Sequence, residues 1–355
     1  MKTLYITSAE TFSGKSALCV GLGMRFRNDG LKVGYMKPVN VNVALREGVP
    51  YDEDVFFAKQ VYGMSEPTDQ ISPVALTPAK LEQQLRGPET DYTPKLMDAF
   101  KKMSEGRDVI IMEGGRSYRE GYVAGLPPKK VVDMVGAQVL GVIKYDETLM
   151  YDRAMTAQNY FAENMSGVVI NETPRTQLEF VLDVVVPFLT RRGIRTYGVL
   201  RQEGILSAPS VRELADGLRA EMLCSVECSD ELVEHMLVGA MSVESALSYF
   251  RRKPNKAVIT GGDRADIQLA ALETSTRCLI LTGNIYPSPA VINRAEELCV
   301  PVLLTRLDTL GTIEIIENYF GKSRFQQPQK IERFGELMGE HFDFGGLYKA
   351  LGIQR

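Results

Sequence analysis

The residues best suited to do chemistry lie near the start of the chain, in KTLYITSAETFSGKSALCVGLG from Lys2 to Gly23. Leu4 to Thr7 is an apolar run of strand character, Ser8 to Ser13 are small or polar, and Gly14-Lys15-Ser16 open a helical pattern. Ala9-x4-Gly14-Lys15-Ser16 is the spacing of a phosphate-binding loop whose first glycine is replaced by alanine. A polyphosphate needs many N–H donors and no bulk beside it. The backbone of Glu10, Thr11, Phe12, Ser13 and Gly14 supplies those donors, and the helix start adds those of Lys15, Ser16 and Ala17. Lys15 brings a mobile charge to the outer phosphates, as a binding and catalytic group. The Ser16 hydroxyl is placed to ligate a bridging magnesium ion. Ala9 departs from the pattern, because glycine tolerates backbone angles that alanine does not.

Elements able to position such a loop follow in order. Apolar, β-branched-rich runs recur at Val33–Val39, Val109–Met112, Val139–Ile143, Gly167–Ile170 and Tyr197–Leu200. Helical stretches such as Tyr151–Glu163 and Gln177–Arg191 fall between them. This alternation predicts an α/β protein built on a P-loop parallel sheet with helices on both faces. Ligands of such sheets lie beyond the carboxyl ends of the strands. After the second run comes Lys37-Pro38-Val39, where Pro38 holds Lys37 extended and sets an amine at that edge, a second candidate catalytic group. Asp52, Glu53 and Asp54 open a helix, where acids compensate the dipole or reach a metal. Asp108 to Gly115 reads as a buried strand ending in Glu113 and two glycines; a carboxylate there needs a cation, and magnesium is the natural one. Asn171 ends the run SGVVINET, where its amide suits either an adenine edge or a turn.

Together these residues resemble the dethiobiotin synthetase family, which includes cobyrinate amidating synthases. The matching parts are Thr7 to Ser16, Lys37-Pro38-Val39, Asp54, Glu113-Gly114-Gly115 and Asn171. The resemblance covers about residues 1–215 and implies a sheet that binds ATP and magnesium, with Asp54 rather than Asp52 on the metal. Partitioning ATPases of the same superclass carry a second lysine early in the loop, where this chain has Glu10. In dethiobiotin synthetases a serine that helps hold the substrate follows the lysine-proline-valine; here Asn40-Val41-Asn42 follows. Arg116 to Glu120 replace the small-residue loop after the second carboxylate. The nucleotide half of the family site is kept and the substrate half is not.

Residues 256–309 resemble the DRTGG domain, in AVITGGDRADIQLAALETS and CLILTGNIYPSPAVINRAEELCVPVLLTRLDT. The pairing is that of the front portion of long bacterial phosphate acetyltransferases, usually considered regulatory. The chain ends at Arg355, so an acetyltransferase domain is not expected. The expected domains are 1–215, dethiobiotin-synthetase-like, and 216–355, a smaller α/β (DRTGG-like) unit. Its runs Ala257–Thr260, Cys278–Leu281 and Val300–Leu304 each precede a helix, at Asp266–Thr274, Ala290–Leu298 and Thr312–Phe320. Gly261, Gly262, Asp263 and Arg264, with Asn284 and Asp308, would then meet at one strand edge. They are either helix caps or a site for a small anionic metabolite.

Composition sets outer bounds. At 45% hydrophobic and 24% charged residues, the chain can bury a core in each unit. A net charge of −4 favours neither nucleic acid nor an anionic membrane. No apolar run approaches the ~20 residues of a membrane span, and no signal peptide is expected. Five cysteines at unremarkable spacing suit free thiols in a reducing cytoplasm, and two histidines offer no zinc site. Two readings follow. One is a regulator or sensor that binds Mg-ATP in its first domain and an anionic metabolite in its second, a homo-oligomer that partners phosphate acetyltransferase or another metabolic enzyme. The other is an ATP-dependent ligase that activates a carboxylate by phosphoryl transfer.

Overall fold

The computed structural model describes every residue except Asn42, Glu47, Asn318, 321–324 and Arg355. The chain forms two units, Met1–Gln202 with Gln326–Arg355, and Glu203–Phe325.

The first unit is a six-stranded sheet in the order 196–201, 165–173, 138–144, 2–8, 109–113, 33–36, with every pair parallel. The strand Lys2–Ser8 is central because it is the most deeply apolar: Leu4 and Ile6 are fully buried and Tyr5 nearly so. Successive strands add on one side of it and then on the other, so the strand order reverses at its carboxyl end, where ligands of open α/β sheets bind. The P-loop helix, Lys15–Asn28, leaves that end. Parallel register does the remaining positioning. Met36 pairs with Met112 and Glu113 with Ile6, so Lys37 and Glu113 emerge side by side next to the P-loop strand.

Two C-terminal helices, Pro328–His341 and Phe344–Leu351, complete the first unit. They pack on the P-loop helix: a Cβ at Gly21 would stand 2.5 Å from the Met338 sulfur, and the Phe26 and Tyr348 rings are 5.4 Å apart. The Tyr348 hydroxyl donates to Asp29 at the helix end. The sequence reading gave 216–355 to the second domain; the tail instead belongs with the first, and the division falls after Gln202. Ser210 caps the helix Val211–Leu218 of the second unit in a reciprocal capping box with Glu213.

The second unit is a five-stranded sheet in the order 221–224, 302–304, 276–282, 256–261, 235–238, parallel except for the first strand. Its two faces bury separate apolar clusters, one around Val258, Leu279 and Phe250 and the other around Ile259, Ile280 and Leu214. Cys228 and Cys299 are joined as a disulfide, which corrects the expectation of free thiols for these two; Cys19, Cys224 and Cys278 are free and buried. No helix among the described residues is long and apolar enough to cross a membrane.

Candidate functional site

The loop from Ser8 to Gly14 adopts the shape its residues permit. Gly14 has φ +90, and a Cβ there would lie 2.2 Å from the Asn171 side-chain nitrogen. Glycine is therefore required twice over, by the backbone angle and by space. Phe12 shares the left-handed region at φ 52 and is 53% exposed. Ala9 is not among the residues with positive φ, so alanine fits where the family pattern has glycine. Thr11 is exposed and Ala17 is buried in the first turn of the helix. The first N–H groups of that helix have no intrahelical partner.

Lys15 is 8% exposed. Its ammonium donates to the Ser8 hydroxyl at 2.9 Å, the Arg116 carbonyl at 3.2 Å and the Glu10 carbonyl at 3.3 Å. All three are neutral oxygens, and burial lowers the lysine's pKa despite the nearby carboxylates. Beside it, the Ser13 hydroxyl is buried without a hydrogen-bond partner among the described residues.

Glu113 is 3% exposed and accepts the Ser16 hydroxyl at 2.7 Å and the Tyr35 hydroxyl at 2.7 Å. Tyr35 can reach it because it pairs with Ile111, two residues before Glu113 on the same face of the sheet. Burial, and then the charge of Asp54, raise the Glu113 pKa against the opposing pull of Lys37 and of the two hydroxyl donors.

Lys37 forms ion pairs with Asp52 at 2.8 Å and Asp54 at 3.1 Å. Burial opposes its charge, but Glu113, Asp54 and Asp52 outweigh burial and hold its pKa above the usual lysine range. The two aspartates differ in what they have left to offer. Asp52 caps the helix Glu53–Tyr62 by accepting the Val55 N–H, and it also accepts from Lys37 and Asn40. The Asp54 side chain is 46% exposed and its one ion pair among the described residues is to Lys37. Asp54 is thus the carboxylate with free oxygen capacity.

The Asn171 amide donates to the Ser13 carbonyl at 2.9 Å and braces the loop over Gly14. Glu10 turns away from Lys15. Its carboxylate accepts the Lys144 N–H and pairs with Arg153 at 2.6 Å. Arg116 donates to the Val41 carbonyl at 3.4 Å, so the loop after Glu113 reaches the segment after Lys37. Sequence reasoning missed Tyr35 and Arg153, and it weighed Asp52 only as a helix-start acid set behind Asp54 for the metal. The signal for Tyr35 was available, as a hydroxyl-tipped residue two positions before Lys37 in an otherwise apolar strand.

In the second unit the three strand-end loops do meet. The Gly283 N–H donates to the Leu307 carbonyl and the Asn284 N–H to the Thr305 carbonyl. Gly262 lies so close to Ile285 that a Cβ would fall 1.7 Å from its carbonyl oxygen. Yet their polar groups are engaged within the unit. Arg264 pairs with Asp266 at 3.0 Å and donates to the Met241 carbonyl at 3.2 Å. Asp308 accepts the Gly311 N–H at 2.8 Å, as a cap does. Asp263 is exposed, and the carbonyls of Gly261 and Gly262 are held by Gln268.

The family described as AAA domain (AAA_26) matches residues 2–235, and the DRTGG domain matches residues 213–319. A phosphate acetyltransferase of Synechocystis sp. is 24% identical over 336 residues, 89% of this chain and 47% of that protein. An ATP-dependent dethiobiotin synthetase of Nitrosopumilus maritimus is 26% identical over 118 residues, 32% of this chain and 50% of the synthetase. The solved CBS and DRTGG domains of the regulatory region of Clostridium perfringens pyrophosphatase align with 39% of this chain and 70% of theirs, at 21% identity and a TM-score of 0.30. That likeness is too loose to bear on the site. The chain spans about half the length of the curated relatives it matches, at 47%, 51% and 52% of the first three. With a P-loop sheet whose match runs over most of its length, and a DRTGG domain after it, the chain belongs to the AAA_26 family of AAA domains.

Proposed function

We propose that this chain is a nucleotide-dependent regulator that binds Mg-ATP at the P-loop edge of its first unit. The observation that carries the reading is Lys15, a buried ammonium that hydrogen-bonds to neutral oxygens and has no anion within ion-pair distance among the described residues. A polyphosphate supplies that anion, and the N–H groups of residues 10–17 supply its remaining hydrogen bonds. The oxygen donors Ser16, Asp54 and Glu113 suit magnesium. Among the described residues no group of three or more acidic, histidine or cysteine side chains could hold a metal alone; an ion bound at these three would take its remaining ligands from phosphate oxygens and water. Bound there, magnesium would neutralise phosphate charge. Ser16 and Tyr35 orient the Glu113 carboxylate, and Asp52 orients Lys37. Because its pKa is raised, Lys37 stays cationic at neutral pH and acts through its charge rather than as a base.

The ligase reading needs an acceptor pocket beyond Lys37. The Arg116–Val41 contact draws together the two loops that would have to border it, which supports the regulatory reading. A small anionic metabolite at Gly261–Arg264, Asn284 and Asp308 of the second unit, and a phosphate acetyltransferase partner, belong to the same proposal. A cytoplasmic setting does too, although the Cys228–Cys299 disulfide counts against it; thiol titration of the two cysteines in protein kept under reducing and non-reducing conditions tests it, since reducing compartments keep thiols free. Equilibrium titration with ATP, with and without magnesium, tests the core of the reading. Magnesium-dependent binding supports it; binding indifferent to magnesium removes Asp54 and Glu113 from the site. ATP turnover measured with and without anionic metabolites then tests the sensor role.

A further inference from the structure

The Lys15 ammonium draws its acceptors from two places. The Ser8 hydroxyl and the Glu10 carbonyl belong to the P-loop itself. The Arg116 carbonyl comes from the loop after Glu113 and stands 3.2 Å from the ammonium, one hydrogen bond from the group that serves the phosphates. Backbone and ring contacts hold that loop in place. The Tyr118 N–H donates to the Ser8 carbonyl at 3.0 Å, and the buried Tyr118 ring stacks on Tyr160 with 5.5 Å between centroids. The backbone of residue 116 is therefore fixed beside the P-loop without help from its side chain.

That side chain is loosely held. Lys37 is paired with two aspartates at 2.8 and 3.1 Å, and Arg153 with Glu10 at 2.6 Å. The Arg116 guanidinium is 55% exposed and stands 3.7 Å from the Glu120 carboxylate, farther than the ~2.7–2.9 Å of a charge-assisted hydrogen bond. Its Nη2 donates to the Val41 carbonyl at 3.4 Å, and its Nη1 has no hydrogen-bond partner among the described residues. An arginine fork presents its N–H donors in the geometry of a phosphate, and its long stem outreaches the single hydrogen bond between its own backbone and Lys15. We propose that Arg116 is a specificity residue of the nucleotide site, whose guanidinium takes the terminal phosphate of Mg-ATP, the phosphate that ADP lacks. The inference rests on the Mg-ATP reading above and adds how the chain tells a triphosphate from a diphosphate. The Val41 contact persists, since the fork has donors to spare.

Equilibrium titration of the full chain tests this, with two magnesium-loaded probes in the wild type, Arg116→Ala and Arg116→Lys. One probe is ADP. The other is an ATP analogue whose β and γ phosphates are bridged by nitrogen, which resists turnover. The substitutions leave the Arg116 carbonyl and its bond to Lys15 in place, and at an exposed side chain they should leave Tm where it was. The wild type should bind the triphosphate more tightly than ADP. Arg116→Ala should weaken the triphosphate by ~tenfold or more, the scale of a charge-assisted hydrogen bond, and keep ADP within ~twofold of the wild type. Arg116→Lys should recover part of the loss, as a charge without the fork. A wild type that binds the two probes equally, an Arg116→Ala variant that keeps the wild-type ratio, or one that weakens both probes alike overturns the proposal and leaves the nucleotide site standing. A wild type that binds neither probe overturns the Mg-ATP reading, and this inference with it.

Discussion

Both units end their parallel strands in polar residues, and the two edges differ in how those residues are used. At the P-loop edge, among the described residues, the Lys15 ammonium hydrogen-bonds to neutral oxygens alone and the Ser13 hydroxyl has no partner, while Glu113 is buried with a raised pKa. At the edge of the second sheet Arg264 has Asp266, Asp308 caps a helix, and the Gly283 and Asn284 amides bond to the neighbouring loop. Convergence of strand ends is common to both. Among the described residues of the two edges, a charge that is buried on neutral oxygens stands at the first, and a buried charge without a counter-ion is what a ligand satisfies.

The largest expected effect on this contrast comes from Gly14→Ala. The left-handed backbone costs a non-glycine residue about 1–2 kcal/mol, and the new methyl would collide with the Asn171 amide, 2.2 Å from its position. Nucleotide binding should vanish in a fluorescence titration, and Tm should fall by ~2–8 °C. Binding at wild-type strength would mean that this loop geometry does not hold the phosphates.

Next is the pH dependence of magnesium-nucleotide affinity. A carboxylate must be ionised to ligate the metal. Because the folded pKa of Glu113 is raised by burial and then by Asp54, its protonation begins at higher pH than in an exposed glutamate. Affinity should therefore fall on acidification while ordinary carboxylates are still charged. Glu113→Gln should flatten that profile and weaken magnesium-dependent binding by ~10-fold or more. An unchanged profile in the variant would shift the metal site away from Glu113.

Lys256 sharpens the comparison from the other unit. It too is fully buried on neutral oxygens, those of Thr274 and Ser275, and burial lowers its pKa to about 8. It stands at the amino end of its strand, away from any ligand edge. Its folded pKa lies below the unfolded value, so below about pH 8 the fold carries the full penalty of a buried charge. Between that pH and the ordinary lysine range the unfolded chain binds more protons, and stability rises with pH. Chemical denaturation should show that rise in the wild type and not in Lys256→Met. Equal slopes would place the lysine in a better-solvated setting than its burial indicates.

The smallest effect is that of Arg264→Ala. Its pair with Asp266 is exposed, so Tm should stay within ~1 °C of the wild type. If the second unit binds an anionic metabolite through Arg264, the variant should lose the modest stabilisation that millimolar anions give. A large anion-induced shift that survives the substitution would move the ligand elsewhere.

Much of this was legible in the sequence, for identifiable reasons. Fully buried parallel strands are continuous apolar runs, so 109–113 and 138–144 stood out, and motif spacing placed Lys15, Ser16 and Glu113. Three kinds of feature did not show. The strands Glu221–Cys224 and His235–Val238 lie at the sheet edges, half exposed, and lack such a run. The helix Pro328–His341 has an apolar face, yet sequence cannot say that the face packs on Gly21 and not on its nearest neighbours in the chain. Asp52 and Asp54 look alike on paper; helix capping, with Asn40, commits the first and leaves the second available.

The most direct test is calorimetric titration of Mg-ATP into the wild type and Lys15→Ala, with the melting temperature of each recorded. The lysine's buried charge has no ion pair among the described residues, so its loss should leave Tm unchanged or raised. Affinity should fall at least ~tenfold, the scale of a charge-assisted hydrogen bond to phosphate. Equal affinity in the two proteins, or a variant that melts well below the wild type, would show that Lys15 serves the fold and not a ligand.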